Sequence, residues 1–485
     1  MGIFAQSQQL LHGYHPLQGV YDEVFADTEH FHPNIESVCK MLTRMSHNKF
    51  KNCQKIANTN FRRSGVTFTV YSDSEGTEKI FPFDLIPRII HNQDWQKIDL
   101  GLKQRINALN MFLQDIYTDQ RILKEKLIPE ILVKKSPGYL SCLQGFVPNN
   151  GVFINIAGVD LVHDQNGEYL VLEDNLRTPS GVSYVLENRF IMKRLFPDIY
   201  SKAHVKPVDE YPIQLKNQLA SLMIDKVDDP RVVVLTPGSY NSAYFEHCFL
   251  AKCMGCELVK GQDLFVNNDK VYLKTTQGPQ RVDVIYRRID DDFLDPDFFR
   301  KDSMLGVRGL MKAYLSGHVI LANATGNGIA DDKAIYPYVP KMINFYLNEE
   351  PIIKQIKTYH CADKQDLAYI LSNMENLVIK ESSGSGGYGM LVGSMATKEE
   401  ISRFKALIQQ CPEKYIAQPI IELSTCPTFD GTRFGPRRVD LRPFIVSGKQ
   451  QWVLPGGLTR VALNEGSYIV NSSQGGGSKD TWVLD

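Results

Sequence analysis

The sequence contains no apolar run near the ~18 residues that a membrane-spanning helix needs. It has no excess of either charge: 54 Lys and Arg stand against 55 Asp and Glu, a net charge of −1. That balance excludes the basic footprint of a sequence-independent nucleic-acid binder. Cysteine is scarce and odd in number, 9 in 485 residues, and the thiols are scattered, so no disulfide framework is expected. The opening segment lacks the basic and apolar regions of a signal peptide. Gln6 stands where N-myristoylation needs Ser or Thr. What is there is ordinary for a folded chain, with 43% hydrophobic and 22% charged residues. The expectation is a soluble, cytoplasmic protein with about three domains' worth of core and no nucleic-acid or membrane partner.

Residues 1–207 read as a helical region followed by a hairpin. Phe68 to Tyr71 is strand-like, and Lys97 to Tyr117 carries apolar residues at helical spacing. Asn166-Gly167 between two apolar runs signals a two-residue turn, and a helix is predicted from Val182 to Leu195. Residues 208–325 alternate strand and helix: Arg231 to Leu235, a helix Ala243 to Met254 stopped by Gly255, then strands Glu257 to Val259 and Val282 to Tyr286. That pattern predicts a small open α/β sheet. Residues 326–485 hold a strand Leu377 to Lys380, a glycine-rich loop and several further strands, with Ser424 to Pro436 read as a surface loop.

A two-residue turn at Asn166-Gly167 would pair Gln165 with Glu168 and so set Asp160 opposite Glu173, with Asn175 on the same face. Like charges directly opposed are destabilising unless a cation lies between them. Asp, Glu and Asn oxygens together suit Mg²⁺ or Mn²⁺. A solvated hairpin face would show the same residues. The polar turn Leu176-Arg-Thr-Pro-Ser-Gly181 that follows leads into a helix N-terminus, where anions dock, and this favours the metal reading.

Lys380 ends its strand and precedes Glu381-Ser-Ser-Gly-Ser-Gly-Gly-Tyr-Gly389. Backbone N–H groups of such a loop can approach phosphate oxygens while the lysine supplies charge. Met390 after Gly389 rules out a Walker A loop, and the strand-like Met390 to Val392 speaks against a dinucleotide fold, although Gly384 to Gly389 fits G-x-G-x-x-G literally. Strand, loop, strand is the geometry of a flap over a triphosphate. Lys333 follows Gly326-Asn-Gly328 at a predicted helix start, and Gln418 is a polar residue in an apolar run, suited to an adenine edge or to a plain strand amide. Arg438, Asp440 and Arg442 alternate along a strand, either as a salt-bridged face or as a phosphate or carboxylate clamp. Arg288 lies at the carboxyl edge of the α/β sheet. Cys253 and Cys256 read as packing residues, and His12, His15, His30 and His32 lack partners at metal-ligand spacing.

Asp160, Glu173-Asp-Asn175, two separated lysines, a glycine flap and an arginine-rich strand together resemble an ATP-grasp ligase, with the metal trio ahead of the lysines. That rotated order resembles the circularly permuted ATP-grasp family of the glutathionylspermidine synthetase-like type. The likeness extends over nearly the whole chain, through Gly19 to Glu23, Val282 to Arg288, Asp332-Lys333, Val378 to Lys380 and Ser473 to Ser478. The resemblance implies a circularly permuted ATP-grasp fold, mixed α/β with α+β elements, with a pre-ATP-grasp-like α/β domain at 208–325. It implies that Asp160, Glu173 and Asn175 bind Mg²⁺, that Lys333, Lys380, Ser385, Gly386 and Gly387 contact ATP phosphates, and that Gln418 lies near adenine. Arg438, Arg442 and Arg288 would hold phosphate or acyl phosphate. The implied activity is an ATP-dependent carboxylate–amine ligase acting through an acyl phosphate. No segment resembles a separate amidase domain, so glutathione and spermidine are not carried over as substrates. A regulatory ATP-binding module that modifies a partner is the alternative, and a nicotinamide oxidoreductase resting on Gly384 to Gly389 is a third reading. The substrates are expected to be a small-molecule or peptide carboxylate and an amine. A homo-oligomer or a partner enzyme is left open.

Overall fold

The computed structural model describes residues 10–69, 78–148, 151–223, 228–382, 384, 389–468, 470 and 476–485. Its strands form three sheets that bear on the site. The largest runs in the order Lys354–Gln355, Tyr169–Asn175, Ile156–His163, Phe434–Arg442, Leu458–Val461, Gly477–Val483 and Phe83–Ile90. Early and late parts of the chain therefore interleave in one sheet. A second sheet is all parallel, in the order Ile320–Ala322, Val284–Arg287, Val232–Leu235 and Glu257–Val259. This is the open α/β sheet that the alternation predicts. A third, antiparallel sheet joins Tyr359–His360, Tyr415–Pro419, Leu377–Glu381 and Leu391–Val392. Strand Leu377–Glu381 and strand Leu391–Val392 thus flank the glycine loop as expected. The fold is mixed α/β.

The 26-residue helix Asn92–Tyr117 covers one side of the large sheet. Its stripe of Leu102, Ile106, Leu109 and Leu113 shares one apolar core with Val159, Leu161 and Leu441 of the strands. Helix Val182–Leu195, predicted at those bounds, shares a second core through Val185, Ile191 and Met192 with Phe444, Leu458 and Trp482. It starts at Gly181, whose φ is +118° and whose missing Cβ leaves room for Leu458.

Three expectations are corrected. Ser424 to Pro436 is no surface loop: Thr425–Phe429 and Phe434–Arg442 form a hairpin, and Ser424, Thr425 and Cys426 are buried. The hydroxyl-rich sequence reads as solvent-exposed, yet Asp22 and Glu23 accept hydrogen bonds from Thr425 (2.9 Å) and Ser424 (2.5 Å) and so allow burial. Lys333 lies in a turn, with helix Val339–Leu347 beginning six residues later. The 156–175 hairpin has a longer connection than Asn166-Gly167 suggests, because Asp164 accepts from the N–H groups of Asn166 and Glu168 (2.9 Å each) and closes the chain ahead of the His163–Tyr169 pair.

The parallel sheet is fastened to the large sheet by Asn323, directly after strand Ile320–Ala322. Its buried amide donates to Ile156 O (2.7 Å) and Leu176 O (2.5 Å) and accepts from the N–H groups of Asn155 and Ile156 (2.7 Å each). Asn323→Ala would leave several of these backbone groups unpaired, and a loss of at least about 3 kcal/mol in urea-induced unfolding is expected. A loss below about 1 kcal/mol would contradict this fastening role.

Candidate active site

The hairpin register decides which side chains meet. His163, Val162 and Leu161 pair with Tyr169, Leu170 and Val171, but Asp160 pairs with Glu173, so Leu172 is an extra, bulged residue. The two-residue turn was the wrong route to the right pairing: the longer connection and the bulge cancel. Leu172, Glu173 and Asp174, consecutive in sequence, all border the cleft between the large and the third sheet. The Asp174 carboxylate is taken up by Arg105 of the long helix, which donates two hydrogen bonds to it (2.7 and 2.6 Å).

The cleft is lined by Glu173, Asp332, Lys333, Lys380 and Gln418 among others. Lys333 and Lys380 come from opposite walls. Lys333 Nζ lies 3.2 Å from the Glu173 carboxylate and donates to Gly384 O (2.6 Å). Lys380 Nζ donates to Gln418 Oε1 (2.8 Å), whose amide in turn donates to Thr358 Oγ1 (3.0 Å). Gln418 and Lys380 share a face of the antiparallel pair Leu377–Glu381 and Tyr415–Pro419. Burial of the Lys380 ammonium holds its pKa below the ordinary lysine value; Glu173 pulls it back up and Lys333 pushes it further down. Ser385, Gly386 and Gly387 lie outside the described residues.

Asp160 is buried beside the cleft and faces arginine. Arg442 donates to Oδ1 (2.5 Å) and Oδ2 (2.8 Å), and Arg460 donates to Oδ2 (2.7 Å). Burial alone would raise the carboxyl pKa; the two guanidiniums outweigh it and keep Asp160 well below the usual carboxylate range. Of the expected metal trio, then, Asp160 stands in register with Glu173 but has its charge already offset. Among the described residues no three His, Cys, Asp or Glu side chains gather at metal-ligand distances. Asn175 is different: its buried side-chain nitrogen has no hydrogen-bond partner. That N–H group can donate to an acceptor such as a phosphate oxygen, and the amide oxygen beside it is the atom a cation would take.

The arginines divide into separate groups. Arg438 donates to Glu422 (2.8 Å) and Gly466 O (2.9 Å) and lies 3.7 Å from the Tyr468 ring centroid, apart from the Asp160 cluster. Arg288 donates to Pro179 O (2.7 Å) and to the Ser180 hydroxyl, while Arg442 donates to Ser180 O (3.3 Å), so one turn is gripped from two sides. The helix N-terminus after that turn is already served by Glu246, which accepts from the N–H groups of Gly181 (2.8 Å) and Ser183 (3.0 Å). The expected anion at this terminus is therefore the protein's own carboxylate.

Arg460 was missed, because Pro455-Gly-Gly-Leu-Thr-Arg460 reads as a polar loop. Leu458–Val461 is a strand, and Asp440 lies directly opposite Arg460. The β-branched Thr459 and Val461 beside Leu458, following Gly-Gly, were the available signal.

The circularly permuted ATP-grasp type 2 family matches residues 87–462. The chain belongs to that family. It is 50% identical to an uncharacterized protein of Synechocystis sp. (strain PCC 6803) over 465 residues, covering 96% of this chain and 97% of that one. A Mycobacterium tuberculosis (strain H37Rv) protein is 51% identical over 87% of this chain and 76% of its own length. A Frankia alni protein provisionally named glutamate–cysteine ligase 2-3 is 38% identical over 98% of this chain and 54% of its own length. The structure of a glutathione synthetase-like effector from Globodera pallida shares the fold, with a TM-score of 0.59 and 11% identity, over 93% of this chain and 99% of that chain. As an ATP-grasp ligase this chain forms carbon–nitrogen bonds with ATP. No helix among the described residues is long and apolar enough to cross a membrane.

Gly158 packs beneath Arg442 and Pro179. A Cβ there would lie 3.2 Å from both Arg442 Cδ and Pro179 Cβ, and its φ is not left-handed, so space is what glycine provides. Gly158→Ala is expected to cost about 1–3 kcal/mol in chemical unfolding. The cost should shrink in an Arg442→Ala background, and strict additivity of the two would contradict the crowding.

Proposed function

We propose that this ATP-grasp chain is a carboxylate–amine ligase that activates its acid substrate as an acyl phosphate. The observation that carries the reading is the convergence of Lys333 and Lys380 from opposite walls onto one cleft that Glu173 and Gln418 also line. Lys333 and Lys380 would bind the triphosphate, with Gln418 beside the adenine and the loop containing Ser385, Gly386 and Gly387 over the phosphates. Residues 208–325 would serve as the pre-ATP-grasp unit.

Glu173 and Asn175, with Asp160 as a further oxygen donor, would hold Mg²⁺ or Mn²⁺. A divalent cation bound there supplies neutralising charge to the phosphate oxygens. The substrate carboxylate attacks the γ-phosphorus, and ADP leaves. The two lysines stabilise the negative charge on the transferring group, while the sheet walls limit access of water. An amine then attacks the acyl carbon, phosphate departs, and an amide remains. Arg442, which holds a carboxylate, and Arg288, which fixes the turn beside it, would orient the acyl phosphate. Arg438 would contribute from the far end of the same strand face. The Frankia relatives named for glutamate and cysteine favour substrates of amino-acid size.

The direct test supplies ATP, Mg²⁺ and mixtures of amino acids and short peptides. ADP release that needs both an acid and an amine, with an amide product by mass spectrometry, is the expected outcome. ATP-dependent modification of a protein without amide formation from small molecules would favour the regulatory alternative. Lys380→Ala is expected to lower turnover by about 10²-fold.

Titration of Lys380 gives a second prediction. Its lowered affinity for a proton should be restored by nearby phosphate charge, so nucleotide binding takes up protons between the lowered value and the ordinary lysine value. Affinity therefore falls as pH rises through that window. Calorimetry in two buffers of different ionisation heat should show uptake in the wild type and none in Lys380→Arg; equal uptake in both would contradict this source.

A further inference from the structure

Two arginines serve Asp160, and they are held differently. Arg442 is the more exposed of the two: its side chain is 14% exposed against 7% for Arg460, its stem passes over Gly158, and its remaining hydrogen bond goes to the carbonyl of Ser180. Arg460 is tied inward. Its Nε donates to both oxygens of Asp440 (2.8 and 3.0 Å), and its Nη2 reaches on to Asp160 (2.7 Å). Asp440 is fully buried and directly opposite Arg460 on the neighbouring strand.

We propose that Arg460 is a positioning residue, the permanent counter-ion that holds Asp160 in place, while Arg442 is the exchangeable one that can turn to substrate. A buried carboxylate left without a partner is strongly unfavourable. Arg442 can therefore leave Asp160 for a substrate carboxylate or phosphoryl group only if another cation stays behind. Arg460 meets that need, because Asp440, buried and directly opposite, fixes its guanidinium. The order along the cluster is Asp440, Arg460, Asp160, Arg442, and of the four only Arg442 touches the Ser180 turn. Arg460 thus acts on the reaction through Asp160, without touching substrate. The inference rests on the reading in which Asp160 helps to hold the divalent cation.

The test measures binding of the non-hydrolysable nucleotide AMP-PNP by calorimetry, with Mg²⁺ and with EDTA, in four proteins: wild type, Asp160→Asn, Arg460→Met and the double variant. Arg460→Met is expected to weaken binding at least about tenfold with Mg²⁺ and less than about twofold in EDTA. The double variant should bind no more weakly than Asp160→Asn alone, since one residue acts through the other. Equal losses in Mg²⁺ and EDTA, or additive losses, would show a structural role only and overturn the proposal. If Asp160→Asn itself leaves Mg²⁺-dependent binding unchanged, the cation reading fails, and the positioning role falls with it. If Asp160→Asn removes that dependence and Arg460→Met does not, the cation reading stands and the positioning role alone fails. Should Arg460→Met not fold, Asp440→Asn replaces it: a smaller loss confined to Mg²⁺ is expected, and no loss would overturn the proposal.

Discussion

The site depends on one buried ionic cluster, Asp440–Arg460–Asp160–Arg442, laid across three neighbouring strands of the large sheet. Its four side chains are 0, 7, 5 and 14% exposed. Charges this deep do not stabilise the fold in net terms, since their desolvation offsets their attraction. Removing any one of them, however, strands its neighbour. The cluster therefore constrains more than it strengthens: it fixes which way the strands face and where the carboxylate nearest the cleft points.

A second constraint works from behind. The bulge at Leu172 shifts the strand by one residue, so Glu173 lies opposite Asp160 while the Asp174 carboxylate meets the helix Asn92–Tyr117. Arg105 of that helix satisfies Asp174, and the Tyr336 hydroxyl, three residues after Lys333, donates to Val171 O (2.6 Å) next to the bulge. The Lys333 turn and the acidic strand are thereby held as one body. The third sheet brings Lys380 and Gln418 to it from the other side. The fold forms this cleft by apposing two sheets rather than by one continuous motif.

Much of this was legible in residue types. The alternation of 208–325 predicted the parallel sheet, the apolar run before Lys380 its strand, and Arg438, Asp440 and Arg442 a shared strand face. What escaped is what single-strand patterns do not encode. Arg438 and Arg442 share a face yet belong to different clusters, because cross-strand neighbours, not sequence spacing, choose the partner. Ser424 and Thr425 look solvent-exposed until Asp22 and Glu23, some 400 positions earlier, accept their hydroxyls. The helix N-terminus at Gly181 looked open to an anion, but Glu246 from a separate helix fills it. The Asp160–Glu173 pairing was reached through a turn that does not form, since a bulge leaves no mark that counting can read.

The most direct measurement of the central claim is hydrogen exchange with and without Mg²⁺ and AMP-PNP. If the cleft between the two sheets is the nucleotide site, exchange should slow at Leu172 to Asn175, Ala330 to Lys333 and Leu377 to Glu381, while the parallel sheet from Val232 to Ala322 stays unchanged. Slowing confined to that parallel sheet, with the cleft segments unaffected, would contradict the account.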